Sequence, residues 1–580
     1  MALNIVSLVL VVGVSLAITY LIRSRVLQAG RPPLPPGPKG LPVLGNLNDL
    51  PKPGVLEAHH WLEHKKLYGK FSSTSELVPA YGDEELTLRC LSPSTGPISS
   101  VTVLGQSIII INDAQLAFEL LEKRSAKYSS RPNQVFSSEL YVCGSYGSGL
   151  GRLFHVGQSL TSKSTSRVGW ANTIGMSPYN KRFRAMRKNL TRVIGSTGSL
   201  AQFNDLQLAE SAHFLLHVLR SPDNILDHVR KAVGAVVLKI AYGYNVESHK
   251  EDVLITKVGD AMDKFARSAV PGAFMVDLFP LLNSLPDWVP GTAWKKTARQ
   301  WGAELTNITE VPYAFVKHQM AQGNHETSFL ARLIETGESD PETVETYKWS
   351  ASSLYTAGAD TTVSAIACFY LAMTLYPEVQ KRAQEEIDRV IGRDRVPTLA
   401  DRENLPYVDA LVKETLRWHP VAPMGLPHQS TEDDVVNGYF IPKGSMLFAN
   451  VWHFTHDPEV HPDPLSFKPE RFLAEGGHVP EPEPHRFVFG FGRRICPGNM
   501  LAERTLYLTV AQSLAVFDIS KTAGVEYNKP EFQSGVVSHP APYKTTIQPR
   551  SPHHEALIKS LEDKYPWKQS DGRVLERMAQ

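Results

Sequence analysis

One stretch narrows the possibilities more than any other: Phe489-Gly-Phe-Gly-Arg-Arg-Ile-Cys-Pro-Gly498. It sets a single cysteine among three glycines, just ahead of a proline and an apolar run. A thiolate that ligates a metal needs close backbone approach, donors to temper its charge, and a shield from water and oxidants. Gly490, Gly492 and Gly498 allow conformations and approaches that a Cβ blocks. Pro497 suits the start of a helix running from Asn499 towards Phe517, which leaves Cys496 beside free N–H groups that favour negative charge. Phe489 can cover the sulfur, and the Arg494 guanidinium suits a carboxylate. The plainer alternative is a glycine-rich turn with a buried free cysteine, and any two of these residues would fit it. The full order F-x-x-G-x-R-x-C-x-G points instead to a haem loop, with Cys496 on the iron and Arg494 on a propionate.

The other cysteines do not compete for that role. Cys90, Cys143 and Cys368 form no C-x-x-C pair and no zinc-type spacing, and four cysteines in 580 residues make no disulfide scaffold. The length fits one large enzyme domain with appendages, and a net charge of +1 gives no global signal for nucleic acid. Residues 3–22 are almost uninterruptedly apolar, roughly the 20 residues that span a bilayer, and Arg23, Arg25 and Arg31 follow. No basic stretch precedes them and no small-residue cleavage site follows. Residues 1–24 therefore read as a transmembrane anchor with the rest of the chain on the cytosolic side. Residues 25–45 are a proline-rich hinge, too poor in donors for a helix.

Beyond the hinge the pattern is mainly helical, with small β-sheets. Helices are expected over about 350–376, over 377–391 with Gly392 at its end, and over 405–418 before Pro420. β-like runs occupy 101–111 and 439–448, the latter around a Pro-Lys-Gly turn. Within the second helix-rich half, Glu414 and Arg417 share one helix face at i, i+3 spacing. Ala357-Gly-Ala-Asp-Thr-Thr362 interrupts a long apolar helix, and a central glycine costs up to about 1 kcal/mol relative to alanine, so a packing or functional reason is expected. Two stretches look foreign to this grammar. Residues 70–95 and 144–168 are rich in Ser, Thr and Gly and lack periodicity.

These motifs, in this order, resemble those of the cytochrome P-450 superfamily, and most of all fungal microsomal members of the O-methylsterigmatocystin oxidoreductase type. The resemblance runs from the anchor to about Ile558, so it implies one haem-thiolate catalytic domain over 46–558 and a C-terminal tail over 559–580. It implies the cofactor haem b (iron protoporphyrin IX), and it makes Glu414-Thr-Leu-Arg417 the family's E-x-x-R and Pro469-Glu-Arg-Phe472 its P-E-R-F segment, so that Glu414, Arg417 and Arg471 form a buried structural triad. Asp360 and Thr361 then belong to the oxygen-binding motif. Splitting an O–O bond requires protons, which an acid and a hydroxyl side by side can bring. Arg187 takes the place of the W-x-x-x-R arginine as a second propionate partner, with Phe183 where the family has Trp. Substrate-facing positions fall at Phe136, Ala357, Val421, Met424, Leu426 and Val536, largely apolar side chains that suit a lipophilic small molecule.

With no nicotinamide or flavin fingerprint in the chain, electrons come from outside. The resemblance implies NADPH–cytochrome P-450 reductase on the same endoplasmic reticulum membrane, with Arg486 and Arg493 available to its acidic surface, O2 as co-substrate, and no nucleic acid. The implied activity is monooxygenation in a fungal secondary-metabolite pathway. Desaturation or oxidative rearrangement on the same fold remains open, as does an inactive haem protein impaired by the foreign stretches. Related sequences would run from Gly69 straight into a Gly96-like position, and from Gly144 into Gly169. Gly69-Lys70-Phe71 can be encoded by GGTAAGTTT, which contains a splice donor, so both stretches read as retained introns, with genuine surface loops as the competing account.

Overall fold

The computed structural model describes residues 30–52, 54–68, 96–138, 168–269, 272–337, 340–527 and 529–579. The apolar segment 3–22, both cysteines Cys90 and Cys143, and the foreign stretches, apart from Val168, lie outside these residues. The described chain forms two compact units. One is drawn from residues within 1–52, 59–132 and 427–450, the other from within 53–58, 133–426 and 451–580.

The first unit holds a four-stranded sheet in the order β1-β2-β6-β3. β1 (Ile98–Val103) and β2 (Gln106–Ile111) make an antiparallel hairpin. Leu104 and Gly105 take positive φ between them, the backbone that a two-residue turn of matching twist requires. β3 (His428–Gln429) and β6 (Met446–Ala449) complete it, with β6 parallel to β2. β4 (Asp434–Val436) and β5 (Tyr439–Ile441) form a separate hairpin through Asn437 and Gly438, both at positive φ. The β-like run expected over 439–448 is thus divided: its first half pairs with β4, and its second half joins the larger sheet.

The second unit carries the longer helices, here numbered in chain order. They are α1 (Lys181–Ile194), α2 (Asn204–Arg220), α3 (Ile225–Tyr242), α4 (Val253–Ser268), α5 (Ala293–Ala321) and α6 (Pro341–Leu375). α7 (Pro377–Val390), α8 (Pro406–Trp418), α9 (Asn499–Val516), α10 (Pro552–Lys564) and α11 (Gly572–Ala579) follow, and β7 (Phe517–Ser520) pairs antiparallel with β8 (Thr546–Pro549). α6 begins nine residues before the expected position because Asp340 caps it: its side chain accepts from the N–H groups of Glu342 and Thr343, with Pro341 as first residue. It is the one described helix long and apolar enough to cross a membrane, yet most of its apolar stretch is buried against other helices, as befits a core element.

α6 packs against α1, α3, α4 and α9. Its glycine serves this packing. A Cβ on Gly358 would come within 2.9 Å of Val237 Cγ2 on α3, so the missing side chain lets the two helices close up. Gly358 thus faces α3. The C-terminal boundary expected at 558 falls inside α10, which packs on α2. Trp567 then stacks on His213 at 3.9 Å, and Asp571 accepts from Asn245 N–H and side-chain amide, so the chain end is part of this unit.

Candidate functional site

The cysteine loop adopts the geometry its glycines suggest. Gly490 and Gly492 have φ of +78° and +51°, a region that L side chains rarely adopt. Cys496 N–H donates to Phe489 O at 2.7 Å, closing the loop, and α9 begins at Asn499. A Cβ on Gly498 would lie 4.0 Å from Cys496 Sγ, so this glycine keeps the space beside the sulfur clear. Burial raises the Cys496 thiol above the ordinary range, while the Gly498 N–H and the Arg187 charge pull it back. The residue as a whole is half-buried. Cys368, by contrast, is fully buried and its thiol is driven far upward by burial, which makes it inert.

Both arginines expected near a propionate sit at this loop. Arg187 donates through Nη1 to Ile495 O at 2.6 Å. Arg494 donates to Ile174 O at 3.3 Å and Ser177 O at 2.8 Å, and its guanidinium lies 3.9 Å from the centre of the Phe183 ring. Phe183 has no indole donor, but the flat ring supports the arginine that the loop supplies. A guanidinium presents its N–H donors in a planar fork that suits a carboxylate.

α6 carries Asp360 and Thr361. It is buried on both sides of the motif, with Ser350–Thr356 and Thr362–Thr374 enclosed, while Ala357 is exposed and residues 358–361 are half-exposed. Such a window in a core helix marks an open space beside it. Thr361 Oγ1 donates to Ala357 O at 2.8 Å, a back-bond that loosens the helix slightly. Asp360 Oδ1 lies 3.1 Å from His539 Nε2.

The expected ionic triad is present and larger than three residues. Arg417 grips Glu414 with two bonds, Nε to Oε2 at 2.7 Å and Nη2 to Oε1 at 2.8 Å, and both side chains are 0% exposed. Arg417 also donates to the carbonyls of Thr455, Pro464 and Ser466. Arg471 Nε is 3.5 Å from Glu414 Oε1, and its Nη1 donates to Glu481 at 3.2 Å. Glu481 in turn meets His461 Nδ1 at 2.6 Å. Sequence reasoning missed Glu481 and His461; Glu481 sits in a proline-rich loop whose pattern carries no signal for burial.

The expected substrate-facing positions differ in exposure. Phe136 is 0% exposed: its ring stacks on Phe274 at 3.4 Å and meets Trp301 edge-on at 5.6 Å, so it presents no surface to a ligand in this structure. Its backbone N–H donates to Asp277 Oδ1, a carboxyl pushed up to about 6 by burial. Leu426 and Val536 border the same apolar cluster as Phe136, whereas Val421 borders the other, built around α6, α8 and α9. Met424 is buried.

The residues present fit a haem-thiolate cofactor: Cys496 would bind the iron, and Arg187 and Arg494 would hold the propionates. The chain belongs to the cytochrome P450 family, whose model, described as Cytochrome P450, matches residues 77–547. It is 42% identical to Cytochrome P450 monooxygenase claR of Ampulloclitocybe clavipes, over 97% of this chain and 95% of that protein. It is 41% identical to Cytochrome P450 monooxygenase ppsD of Aspergillus oryzae, over 99% of both. O-methylsterigmatocystin oxidoreductase of Aspergillus flavus is 36% identical over 99% of this chain and 98% of that protein. The protein is a haem-dependent monooxygenase that uses O2, a redox partner and a small-molecule substrate.

The ionic network gives a direct test of what holds this architecture. Glu414→Gln removes the charge that balances Arg417 and leaves that guanidinium buried against carbonyls. Loss of one partner of a buried pair costs about 3–5 kcal/mol, so the variant should unfold at markedly lower denaturant concentration in an equilibrium urea titration.

Proposed function

We propose that the chain is a membrane-anchored monooxygenase that inserts one atom of O2 into a C–H bond of a lipophilic fungal secondary metabolite. The balance is R–H + O2 + 2 e⁻ + 2 H⁺ → R–OH + H2O. Haem b, held by Cys496, supplies the oxygen-activating chemistry when bound. Phe489, Gly490 and Gly498 shape the loop around the sulfur, and Arg187 and Arg494 place positive charge for the propionates. Asp360 and Thr361 hold and move the protons that the balance consumes, and Glu414, Arg417 and Arg471 keep the loop's scaffold fixed. Ala357, Val421, Met424, Leu426 and Val536 face the substrate, and Phe136 joins them if its aromatic stack opens. Residues 3–22 anchor the chain in the endoplasmic reticulum with this domain in the cytosol.

The observation that carries the reading is the window 357–361, exposed at Ala357 and half-exposed from 358 to 361, between the enclosed stretches 349–356 and 362–374 of one helix. A core helix exposes an acid and a hydroxyl there only if something outside the polypeptide fills the space. The pairing of Asp360 with Thr361 also favours dioxygen activation over rearrangement of a ready-made peroxide. The reduced, carbon monoxide-bound holoprotein should show the thiolate absorption peak, and Cys496→Ala should abolish it. Purified wild-type holoprotein without that peak would sink the ligand assignment.

Electrons come from NADPH–cytochrome P-450 reductase. A groove of about 540 Å³ next to the cysteine loop is lined by Tyr179, Phe183, Arg184, Arg187, Lys188, Thr191, Arg192 and Arg493. It has five cations and no carboxylate, and Arg184 and Arg493 both lie against the Tyr179 ring. An acidic partner surface suits it, and steering between unlike charges weakens with salt. Arg493 belongs to this groove; Arg486 is exposed and does not line it. Charge reversal at Lys188 and Arg192 should slow reduction by the reductase at low salt and flatten its salt dependence, as followed by stopped-flow absorbance.

The two foreign stretches support a second reading, in which this chain carries retained introns that impair an otherwise competent enzyme. Val168 N–H donates to Phe136 O at 3.3 Å, and Gly169 N–H to Ser137 O at 3.1 Å. The chain thus meets itself across 139–167. Transcript sequencing decides between introns and loops: a mature message that retains both stretches would overturn the intron account.

A further inference from the structure

Asp360 and Ser364 lie one helical turn apart on α6, so they share a face. Both are engaged by the same short turn, Phe532 to Pro540. Ser364 Oγ donates to Ser538 O at 2.5 Å, and Asp360 Oδ1 lies 3.1 Å from His539 Nε2. The turn itself is held from several sides. Ser538 N–H donates to Val421 O at 2.8 Å, Ser538 Oγ donates to Gln533 O at 2.7 Å, and His419 Nε2 meets that hydroxyl at 2.8 Å. Gln533 N–H donates to His539 O at 2.8 Å, and the Phe532 ring stacks on His419 at 3.6 Å. With its backbone fixed at 538 and 539, His539 has little freedom beyond its own side-chain torsions. Asp360 and His539 are each 23% exposed, so the pair sits at the edge of the window.

We propose that His539 is the positioning residue of the Asp360 carboxylate. The imidazole fixes the direction of the carboxylate in the window and links it to the turn that carries Val536, so that proton supply answers to how the turn is seated. This rests on the reading of Asp360 as the proton carrier. Without the imidazole the carboxylate swings between rotamers, and protons arrive less selectively. More of the reduced oxygen then leaves as hydrogen peroxide instead of water. Glutamine can reach the place of Nε2 and asparagine cannot, which provides a conservative rescue.

The experiment uses holoenzyme reconstituted with reductase and no added substrate, and reads the share of consumed NADPH recovered as hydrogen peroxide. His539→Asn should raise that share severalfold, and His539→Gln should raise it less. In an Asp360→Asn background His539→Asn should add nothing, because its route of action is already gone. Melting temperatures of the two single variants and the double variant supply a readout independent of turnover, and their effects should be non-additive, as for residues in contact. A rise in peroxide of equal size in the Asp360→Asn background, or additive melting shifts, would make His539 merely structural and overturn the proposal. If Asp360→Asn raises the peroxide share but neither His539 variant does, the proposal fails while the proton-carrier reading stands. If Asp360→Asn itself changes nothing in an enzyme that shows the thiolate peak, the reading of Asp360 fails and the proposal with it. Should His539→Asn not retain haem, the Gln variant still decides, since its intermediate effect is required.

Discussion

The buried pair between Glu414 and Arg417 is the interaction on which the architecture depends. Two full charges are removed from water there, and each would cost several kcal/mol to bury alone. The structure compensates with two short parallel bonds between them and with backbone groups: Lys468 N–H donates to Glu414, and three carbonyls between 455 and 466 receive Arg417. These partners come from the chain segment between α8 and the P-E-R-F turn. The pair therefore stitches down the stretch from Thr455 to Lys468, which is irregular from 457 onward, ahead of the P-E-R-F turn. A hydrophobic pair could fill the same volume but could not receive those backbone groups, so the charge is justified by what it organises.

Arg471 and Glu481 extend the same logic. Counting formal charges in the cluster, Glu414 and Glu481 balance Arg417 and Arg471. Arg471 makes its shortest bonds to the carbonyls of Pro462 and Asp463 and is only 3.5 Å from Glu414, so it contributes more by fixing backbone than by pairing. Glu481 is drawn below the ordinary carboxylate range despite burial, because His461 and Arg471 outweigh the loss of solvent. The outcome is a network that fixes the backbone from 462 to 468 in place.

Local spacing made part of this legible in the sequence. Glu414 and Arg417 stand at i, i+3, which fixes them on one face in any helix, and the glycines of the cysteine loop announce φ values that only glycine takes freely. The fold class followed from helical periodicity and short β runs for the same reason. What stayed hidden depends on distant parts of the chain. His539 meets Asp360 across nearly the whole second half of the sequence, Glu481 is buried by neighbours that its proline-rich context does not predict, and Phe136 is consumed by an aromatic stack with Phe274. Asn437-Gly438 was a readable hairpin signal and would have separated β5 from β6.

α6 shows why the functional motif had to look like a flaw. A core helix is stabilised by burial on all sides, and this one is buried over most of its length. The site requires the opposite at 357–361: an open flank, a carboxylate, and a hydroxyl that bonds back to its own helix. On the other face Gly358 admits Val237 and lets α3 pack closely. The glycine and the Asp-Thr pair are thus two halves of one compromise. The glycine tightens one side of α6 so that the other side can remain open, and the turn bearing Ser538 and His539 grips the helix at the point where that openness begins.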